Sequence, residues 1–216
     1  MTLGMAVEST TVTYGVAVFT GREVHAHRTV RRDDPAFASI GALAETVLTD
    51  AGRAFTDLGL LAVDAGPGNL TSVRAGVAYV NGLAFSVGAE VVSVDALTLL
   101  AREVSPELDE PVLVLRNAGT GNAYAGLFRA DAEPVLRHGQ LDAVVRELAG
   151  SLPSLYCAGV FREQVRTLLP DAAVKDSGID TSSVLTLHDL VTTATSADLP
   201  RAAFATPITD SSAVFQ

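Results

Sequence analysis

The sequence predicts an α/β fold made of two lobes that share a βββαβα design. Runs of β-branched and apolar residues bounded by turn residues alternate with stretches whose apolar residues recur every three or four positions. The same order of elements begins again after Pro106–Pro111, a stretch with the composition of a linker. The chain has 216 residues, 48% of them hydrophobic, which is enough to bury a large core and excludes disorder as its main state. We therefore expect a first lobe at residues 1–104 and a smaller, degenerate second lobe at residues 105–216.

In the first half, three strands are followed by alternating helices and strands. The first helix is expected to be capped by Asp34, to begin at Pro35 and to end before Gly52, because these residue types are typical of helix ends. The other elements expected here are the strands Thr2–Val7, Thr13–Thr20, Glu23–Val30, Leu58–Asp64 and Glu90–Val94, and the helices Leu70–Val87 and Asp95–Glu103.

The second half repeats this order less clearly. Its expected elements are the strands Val112–Arg116, Ala123–Phe128, Ala132–His138 and Leu155–Ala158, a short strand near Ala173, and the helices Leu141–Leu148, Phe161–Leu169 and Ser183–Thr193. Two such lobes resemble the actin, sugar-kinase and Hsp70 (ASKHA) group, in which nucleotide binds between the lobes. A shared architecture does not by itself decide an activity.

Composition excludes several classes of protein. The formal net charge of −10 repels a phosphate backbone, so we expect any role in RNA chemistry to depend on a partner. The single cysteine, Cys157, excludes an internal disulfide framework and a cysteine-rich zinc site. The most apolar stretch, Ala75–Ala89, is shorter than the ~20 residues that cross a bilayer, and the N-terminal residues lack an export signal. We expect a cytoplasmic protein that does not bind membranes.

A glycine-containing loop and the helix after it carry the clearest motif. The segment Gly66–Gly76, with Asn81–Ala84 further along, resembles the GPG signature of the TsaB (YeaZ) family. The segments Val91–Leu97 and Ala6–Thr10 resemble two further passages of that family, so the resemblance covers about residues 1–102. It implies a non-catalytic partner of the transferase TsaD, which holds metal and nucleotide, in the threonylcarbamoylation of adenosine 37 of tRNA. Contact with tRNA would then come only through the complex.

Several positions depart from the family pattern. Glu8 stands where members usually carry Asp, Asn69 and Ser72 replace other residues of the glycine loop, and Asn117–Asn122 matches the family's D-A-R-x-x-E-V-Y motif only in part. These departures leave open a pathway-specific paralogue that partners another carbamoyl or acyl transferase. A stand-alone ATP-dependent enzyme of the kinase type is a third alternative.

The glycine loop has two interpretations. A helix N-terminus after a Gly-x-Gly turn can bind a phosphate, but the lysine of a Walker loop is absent. The alternative is a tight turn with Asn69 or Thr71 as the helix cap and Arg74 as a packing or capping cation. A longer carboxylate at Glu8 and an uncharged amide at Asn117 both weaken phosphate binding in the kinase-like group. The residues that could form a weak nucleotide or phosphate site are Glu8, Ser9, Thr10, Gly66, Gly68, Asn69 and Asn117. We assign no catalytic residue, no metal site and no tightly bound cofactor; ATP with magnesium at the interface of a complex stays open.

The helix Leu70–Val87 is apolar nearly all round. Leu70, Val73, Val77, Val80, Ala84 and Val87 form one stripe that is suited to core packing. The other side is poor in charge and rich in small residues, so we expect a partner to cover it, although complete burial within one large domain is the alternative. The expected interface residues are Thr71, Ser72, Arg74, Ala75, Gly76, Tyr79, Gly82 and Leu83. The same helix could join the TsaD-like transferase in a heterodimer or a second copy in a homodimer.

A basic cluster near the start of the chain is the last candidate. It contains Arg22, His25, His27, Arg28, Arg31 and Arg32. The cluster could contact tRNA or an acidic partner, or it could be the solvated face of a hairpin.

Overall fold

The computed structural model describes residues 2–104, 110–194 and 199–215, which form two five-stranded mixed sheets flanked by helices. Most of the predicted linker, Pro106–Pro111, lies outside the described residues. No helix in these three ranges is long and apolar enough to cross a membrane.

The first sheet is built by the first half of the chain. Its elements are β1 (Leu3–Glu8), β2 (Thr13–Thr20), β3 (Glu23–Arg31), α1 (Ile40–Asp50), β4 (Leu58–Asp64), α2 (Leu70–Val87), β5 (Glu90–Val94) and α3 (Ala96–Val104). The strand order is β3-β2-β1-β4-β5, with β1 antiparallel to β2 and parallel to β4. The core strands are almost fully buried because α2 covers β4 and β5, and α1 covers β2 and β3.

The second half repeats this design. Its elements are β6 (Val112–Gly119), β7 (Asn122–Arg129), β8 (Ala132–Gln140), α4 (Leu141–Ala149), β9 (Ser154–Gly159), α5 (Arg162–Leu168), β10 (Ala173–Asp176) and α6 (Val184–Thr193). The sheet order β8-β7-β6-β9-β10 matches the first sheet strand for strand. The predicted duplication is therefore confirmed, and each half adds a further strand and helix to the βββαβα core.

The two compact units of the structure differ in their residues from the two lobes predicted on either side of residue 104. Unit 1 comprises Met1–Asp95 and Ser183–Pro207, and unit 2 comprises Ala96–Ser182 and Ile208–Gln216. Helix α3 belongs to unit 2 because its leucines bury against Val112 and Val114 of β6. Helix α6 returns to unit 1, where it packs on β1, β2 and β4. Sequence order alone could not show either exchange, since both depend on tertiary packing.

The predicted start of the first helix was wrong. Helix α1 begins at Ile40, and Ser39 caps it by accepting a hydrogen bond from the Ala42 amide at 3.1 Å. Asp34 instead accepts from the Ala36 amide at 2.8 Å and forms a turn ahead of the helix. Asp and Ser are both typical helix caps. Ser39 caps the helix because it lies directly before Ile40, the first buried residue of α1.

A segment after α6 is fastened to unit 1 by α2 and β5. Val91 and Ala202 exchange two backbone hydrogen bonds of 2.8 Å. Asn81 of α2 donates to the Ala205 carbonyl at 2.9 Å and accepts from the Ala205 amide at 2.7 Å. The side-chain amide of Asn81, a polar group on a nearly apolar helix, thus both donates and accepts in holding this segment.

Substitution of Asn81 by alanine should release that segment. Both hydrogen bonds to Ala205 are lost and the Ala205 backbone is left without its partners, so we expect a loss of about 1–3 kcal/mol in the free energy of unfolding. Urea titration measures the loss, and amide hydrogen exchange at Ala205 should accelerate. Ser86→Ala, at an exposed position of the same helix, should change neither; an Asn81→Ala chain as stable and as protected as wild type would contradict the clamp.

Candidate functional site

The glycine loop between β4 and α2 is closed against the turn that follows β1. The Asn69 amide donates to the Thr10 carbonyl at 2.9 Å, and a Cβ added at Gly68 would overlap that same carbonyl. The Gly66 amide donates to Asp64 Oδ1 at 2.8 Å, and the Ser72 amide donates to Asn69 Oδ1 at 3.1 Å. Asn69 is therefore the helix cap, and three of the loop's amides already have acceptors inside unit 1.

The polar residues at the end of β1 and directly after it bind one another. Glu8, Ser9 and Thr10 are all buried, with exposures of 3%, 0% and 1%. The amide and hydroxyl of Thr10 lie 3.0 and 2.7 Å from Glu8 Oε1, and the hydroxyl also lies 3.0 Å from Asp64 Oδ2. Ser9 donates to the Ser72 carbonyl at 3.3 Å. These contacts support the turn-and-cap interpretation of the loop.

Asp64 is a member of this buried network that the sequence analysis missed. It is the last residue of β4 and is fully buried. Sequence reasoning treated it only as the end of an apolar strand. Its position directly before a glycine loop could have identified it, because side chains at the carboxyl ends of neighbouring parallel strands lie close together.

Asn117, the last predicted member of the phosphate site, lies in unit 2. Its side-chain oxygen accepts from the Gly119 amide at 2.8 Å within the β6–β7 turn. Gly119, Thr120 and Gly121 all have positive φ, at 79°, 50° and 79°. The two glycines here serve a tight left-handed turn.

Two residues of the predicted partner interface are buried within unit 1 and are not on its surface. Ser72 is buried and its Oγ accepts from the Tyr14 hydroxyl at 2.8 Å and from an Arg32 guanidinium nitrogen at 2.9 Å. Gly76 is buried against Ser9, and a Cβ added there would overlap Ser9 Oγ. We remove both from the expected interface. The prediction for Leu70 differs in the opposite direction. Its side chain was predicted to lie in the buried stripe, but it is 46% exposed.

The outer side of α2 is exposed or half-buried and carries no charge from Ala75 to Val87. Of the predicted interface residues, Thr71, Arg74, Ala75 and Gly82 are exposed, and Tyr79 and Leu83 are half-buried. A groove of about 810 Å³ runs along this side, and its walls include Gly41, Phe55, Ala78, Tyr79, Gly82 and Leu83.

Phe85 was missed by the sequence analysis, although among the residues that the structure describes it is the most exposed large apolar side chain, at 92%. Together with Phe204, which is 66% exposed, it flanks a second groove of about 680 Å³ on the other side of α2. An exposed phenylalanine pair on a charge-poor helix is typical of a contact surface.

The Tyr79 hydroxyl is buried beside the first groove and has no hydrogen-bond partner among the residues that the structure describes. Burial, with a smaller contribution from Glu45, raises the pKa of Tyr79 to about 12. The hydroxyl therefore stays protonated at neutral pH, and the ring forms part of the groove wall.

The basic cluster is largely paired with nearby acids or hydroxyls. Arg28 contacts Asp50 at 2.6 Å, and Arg31 contacts Asp33 at 2.8 Å. The Arg31 guanidinium holds the pKa of Asp33 below its usual range. This pairing supports the solvated face of a hairpin over a surface for tRNA. Within the described ranges, no group of three or more His, Cys, Asp or Glu side chains is arranged to hold a metal ion.

Replacement of Gly76 by alanine should strain the contact between α2 and the β1 turn. The added methyl overlaps Ser9 Oγ, so we expect the free energy of unfolding to fall by about 1–3 kcal/mol in urea titration. Ser9→Ala removes the overlapped oxygen, and the double variant should recover most of the loss. No recovery in the double variant would contradict this close packing.

Replacement of Tyr79 by phenylalanine should leave the free energy of unfolding unchanged or raise it by up to ~1 kcal/mol, because it removes a buried hydroxyl that has no partner. The matched control is Tyr14→Phe, which breaks the bond to Ser72 and should lower stability by about 1 kcal/mol. Chemical denaturation measures both. A loss at position 79 as large as that at position 14 would show that the Tyr79 hydroxyl has a partner.

Known proteins with similar sequences and folds lead to one group. A family model described as TsaD, tRNA N6-adenosine threonylcarbamoyltransferase, matches residues 37–198, which is well over half of the chain. The tRNA threonylcarbamoyladenosine biosynthesis protein TsaB of Escherichia coli is 25% identical over 143 residues, covering 66% of this chain and 62% of that protein. A tRNA N6-adenosine threonylcarbamoyltransferase of Desulfovibrio desulfuricans is 38% identical over 94 residues, covering 43% of this chain and 25% of that enzyme. The chain thus spans less than two thirds of each of these curated relatives.

Solved structures agree in fold over nearly the whole chain. YeaZ from Pseudomonas aeruginosa matches with a TM-score of 0.70 at 20% identity, covering 96% of this chain and 99% of that one. A second Pseudomonas aeruginosa protein, described as similar to peptidase YeaZ, matches with a TM-score of 0.79 at 21% identity and the same coverage. The resemblance to TsaB (YeaZ) predicted from the motifs is therefore confirmed, and the chain belongs to the family that the TsaD model describes.

Proposed function

We propose that this chain is a non-catalytic subunit that binds a TsaD-like transferase through the outer side of α2 and supports threonylcarbamoylation of adenosine 37 in tRNA. The observation that carries the proposal is the charge-free outer side from Ala75 to Val87, with grooves along both flanks. Family membership and the relationship to TsaB supply the chemistry that the partner performs.

The two flanks of α2 have the chemistry of a contact surface. A specific interface buries roughly 800 Å² on each partner and depends on a few aromatic or apolar anchors in water-excluding pockets. Phe85 and Phe204 can act as such anchors on one flank, and the groove beside Tyr79 and Leu83 can accept anchors from the partner on the other. Because no charged residue lies between Ala75 and Val87, docking on this stretch of α2 would bury no unpaired ion from it.

An accessory role is supported by the state of the expected phosphate site. The carboxyls and hydroxyls of Glu8, Thr10 and Asp64 bind one another, and the amides of the glycine loop bind acceptors within the same unit. A nucleotide would have to break these contacts before it could bind. In this proposal any ATP with magnesium at the complex is held mainly by the transferase, and the stand-alone kinase alternative fails if calorimetry detects no binding of magnesium-ATP at millimolar concentration.

Contact with tRNA is assigned to the complex. The formal net charge of −10 and the ion pairs that neutralise Arg28 and Arg31 give the chain little attraction for a phosphate backbone. A cytoplasmic location follows from the same proposal, since the substrate tRNA is there. A second copy could bind the same side of α2, in which case the homodimer and the heterodimer would compete.

The second candidate function is a pathway-specific paralogue that partners another carbamoyl or acyl transferase. The observation that favours it is the set of departures at Glu8, Ser72 and Asn117, each of which is built into local packing. Expression in a cell that lacks its ordinary TsaB separates the two. Restored tRNA modification supports the first function; folded, expressed protein without restoration supports the second.

Substitution of Gly82 by lysine should abolish the complex and spare the fold. An added Cβ at Gly82 meets no atom within 4 Å, and lysine is a better helix former than glycine, so the melting temperature should not fall. A buried lysine without a partner costs several kcal/mol, and we expect affinity for the cognate transferase to fall at least about a hundredfold by calorimetry.

The control for this prediction is Ala132→Lys, which adds the same charge at an exposed position of unit 2. It should bind the transferase and support modification of tRNA as wild type does. Equal affinity of the Gly82→Lys and wild-type chains for the transferase would remove α2 as the interface.

A further inference from the structure

The second groove beside α2 is built by two parts of unit 1 that are distant in sequence. It is about 680 Å³ in volume and is lined by residues of α2 and by Arg201–Phe204. We call Arg201–Ala205 the arm. Phe85 belongs to α2 and Phe204 to the arm, and their side chains are 92% and 66% exposed. A partner that covers both rings must therefore contact α2 and the arm together.

The arm is held to unit 1 on both sides of Phe204. Ala202 exchanges two backbone hydrogen bonds of 2.8 Å with Val91 of β5. The Ala205 amide donates to Asn81 Oδ1 at 2.7 Å, and the Ala205 carbonyl accepts from Asn81 Nδ2 at 2.9 Å. Asn81 thus restrains both polar backbone groups of the residue that directly follows Phe204.

This restraint determines where the Phe204 ring lies before any partner binds. A chain segment that is ordered only on binding reduces affinity, because the entropy lost on ordering then opposes association. The hydrogen bonds of Asn81 order the end of the arm during folding instead. Without them, the bridge at Ala202 would still attach the arm to β5, but the backbone after Phe204 would be released from α2.

We infer that Asn81 is a positioning residue for binding of the transferase: through Ala205 it holds the Phe204 ring beside α2, where the ring enters an apolar pocket of the partner. The inference rests on the proposed function and extends it, since it makes the arm a second part of the same contact surface. The pocket that fits two phenylalanine rings on the partner is uncharged and apolar.

The chemistry of this groove fits the same partner as the outer side of α2. Phe85 lies within the charge-free stretch Ala75–Val87, so the two surfaces are continuous along one helix. The charged residues that line the groove, Glu90 and Arg201, pair with each other at 2.5 Å. A buried phenylalanine covers roughly 150–250 Å², so these two rings would supply roughly a third of the ~800 Å² that a specific interface buries on each partner.

A double-mutant cycle on the full chain tests the inference, with affinity for the cognate transferase measured by calorimetry. Phe204→Ala should weaken binding about tenfold, as expected for an aromatic anchor. Asn81→Ala should weaken it by a similar factor, because the ring is no longer held. Adding Phe204→Ala to Asn81→Ala should then weaken binding by no more than about threefold, since a ring that is not positioned has little left to contribute.

Phe85→Ala is the matched control, because its ring is carried by the helix itself. It should weaken binding by the same factor whether Asn81 is present or replaced. A general loss of stability in the Asn81→Ala chain would change the effects of both rings alike, so it cannot imitate the expected result. If Asn81→Ala does not fold, Asn81→Asp replaces it, since aspartate keeps the acceptor for the Ala205 amide and loses the donor to the carbonyl.

The possible outcomes separate this inference from the function on which it rests. Equal effects of Phe204→Ala with and without Asn81 would overturn the positioning role. A wild-type chain that binds the transferase, loses binding with Gly82→Lys and is unaffected by Phe204→Ala would overturn the inference and leave the proposed function intact. A Phe204→Ala chain that loses only self-association, measured by mass, would make a second copy the occupant and would also overturn it. A wild-type chain that does not bind the transferase would contradict both.

Discussion

Helix α2 is apolar on two sides, and the sheet of its own unit can cover only one of them. The inner side is packed so closely that Gly76 leaves no room for a methyl group and the Ser72 hydroxyl receives two donors. The outer side presents Ala75 to Val87 without a charge. Burial of exposed apolar area is the main favourable term in association, so this imbalance supports the proposed binding of a partner. The proposed role as a subunit follows from this constraint.

In the proposed role the glycine loop holds no nucleotide tightly, and the inner packing of α2 supports this part of the proposal. The turn after β1 is held by Glu8, Thr10 and Asp64, and the loop is held by that turn. The residues that were expected to contact phosphates instead form the hydrogen bonds that position the N-terminus of α2. The same loop that could bind an anion is thus used to orient a helix, and the chemistry is left to the partner in the proposed complex.

Much of the fold could be predicted because its signals are local. The bounds of α2, β4 and β5 were predicted to the residue, since a glycine loop, a capping asparagine and Gly88 mark the ends of strongly patterned segments. The start of α1 was wrong because two good caps, Asp34 and Ser39, compete within five residues and tertiary burial of Ile40 decides between them. The compact units differ from the predicted lobes at α3 and α6, which pack on elements distant in sequence, and sequence order does not reveal those contacts.

The side of α2 on which each residue lies could be predicted only in part. Gly76 lies three residues after Val73 and four before Val80, so its spacing places it on the buried side of α2. It was assigned to the exposed side because small residues were taken as a sign of an interface. Asp64 and Phe85 were missed since a single carboxylate at a strand end and a single phenylalanine on a helix carry no pattern. Their importance comes from residues distant in sequence, Thr10 for the first and Phe204 for the second.

The outer side of α2 can be tested most directly by measuring its accessibility in the complex. The only cysteine, Cys157, is fully buried, and burial raises the pKa of its thiol to about 12, so Ala78→Cys would carry the single reactive thiol of the chain. The rate at which a soluble reagent alkylates Cys at position 78 should fall at least about tenfold when the cognate transferase is bound, while Ala132→Cys reacts at an unchanged rate. An unchanged rate at position 78 in a saturated complex would contradict the account.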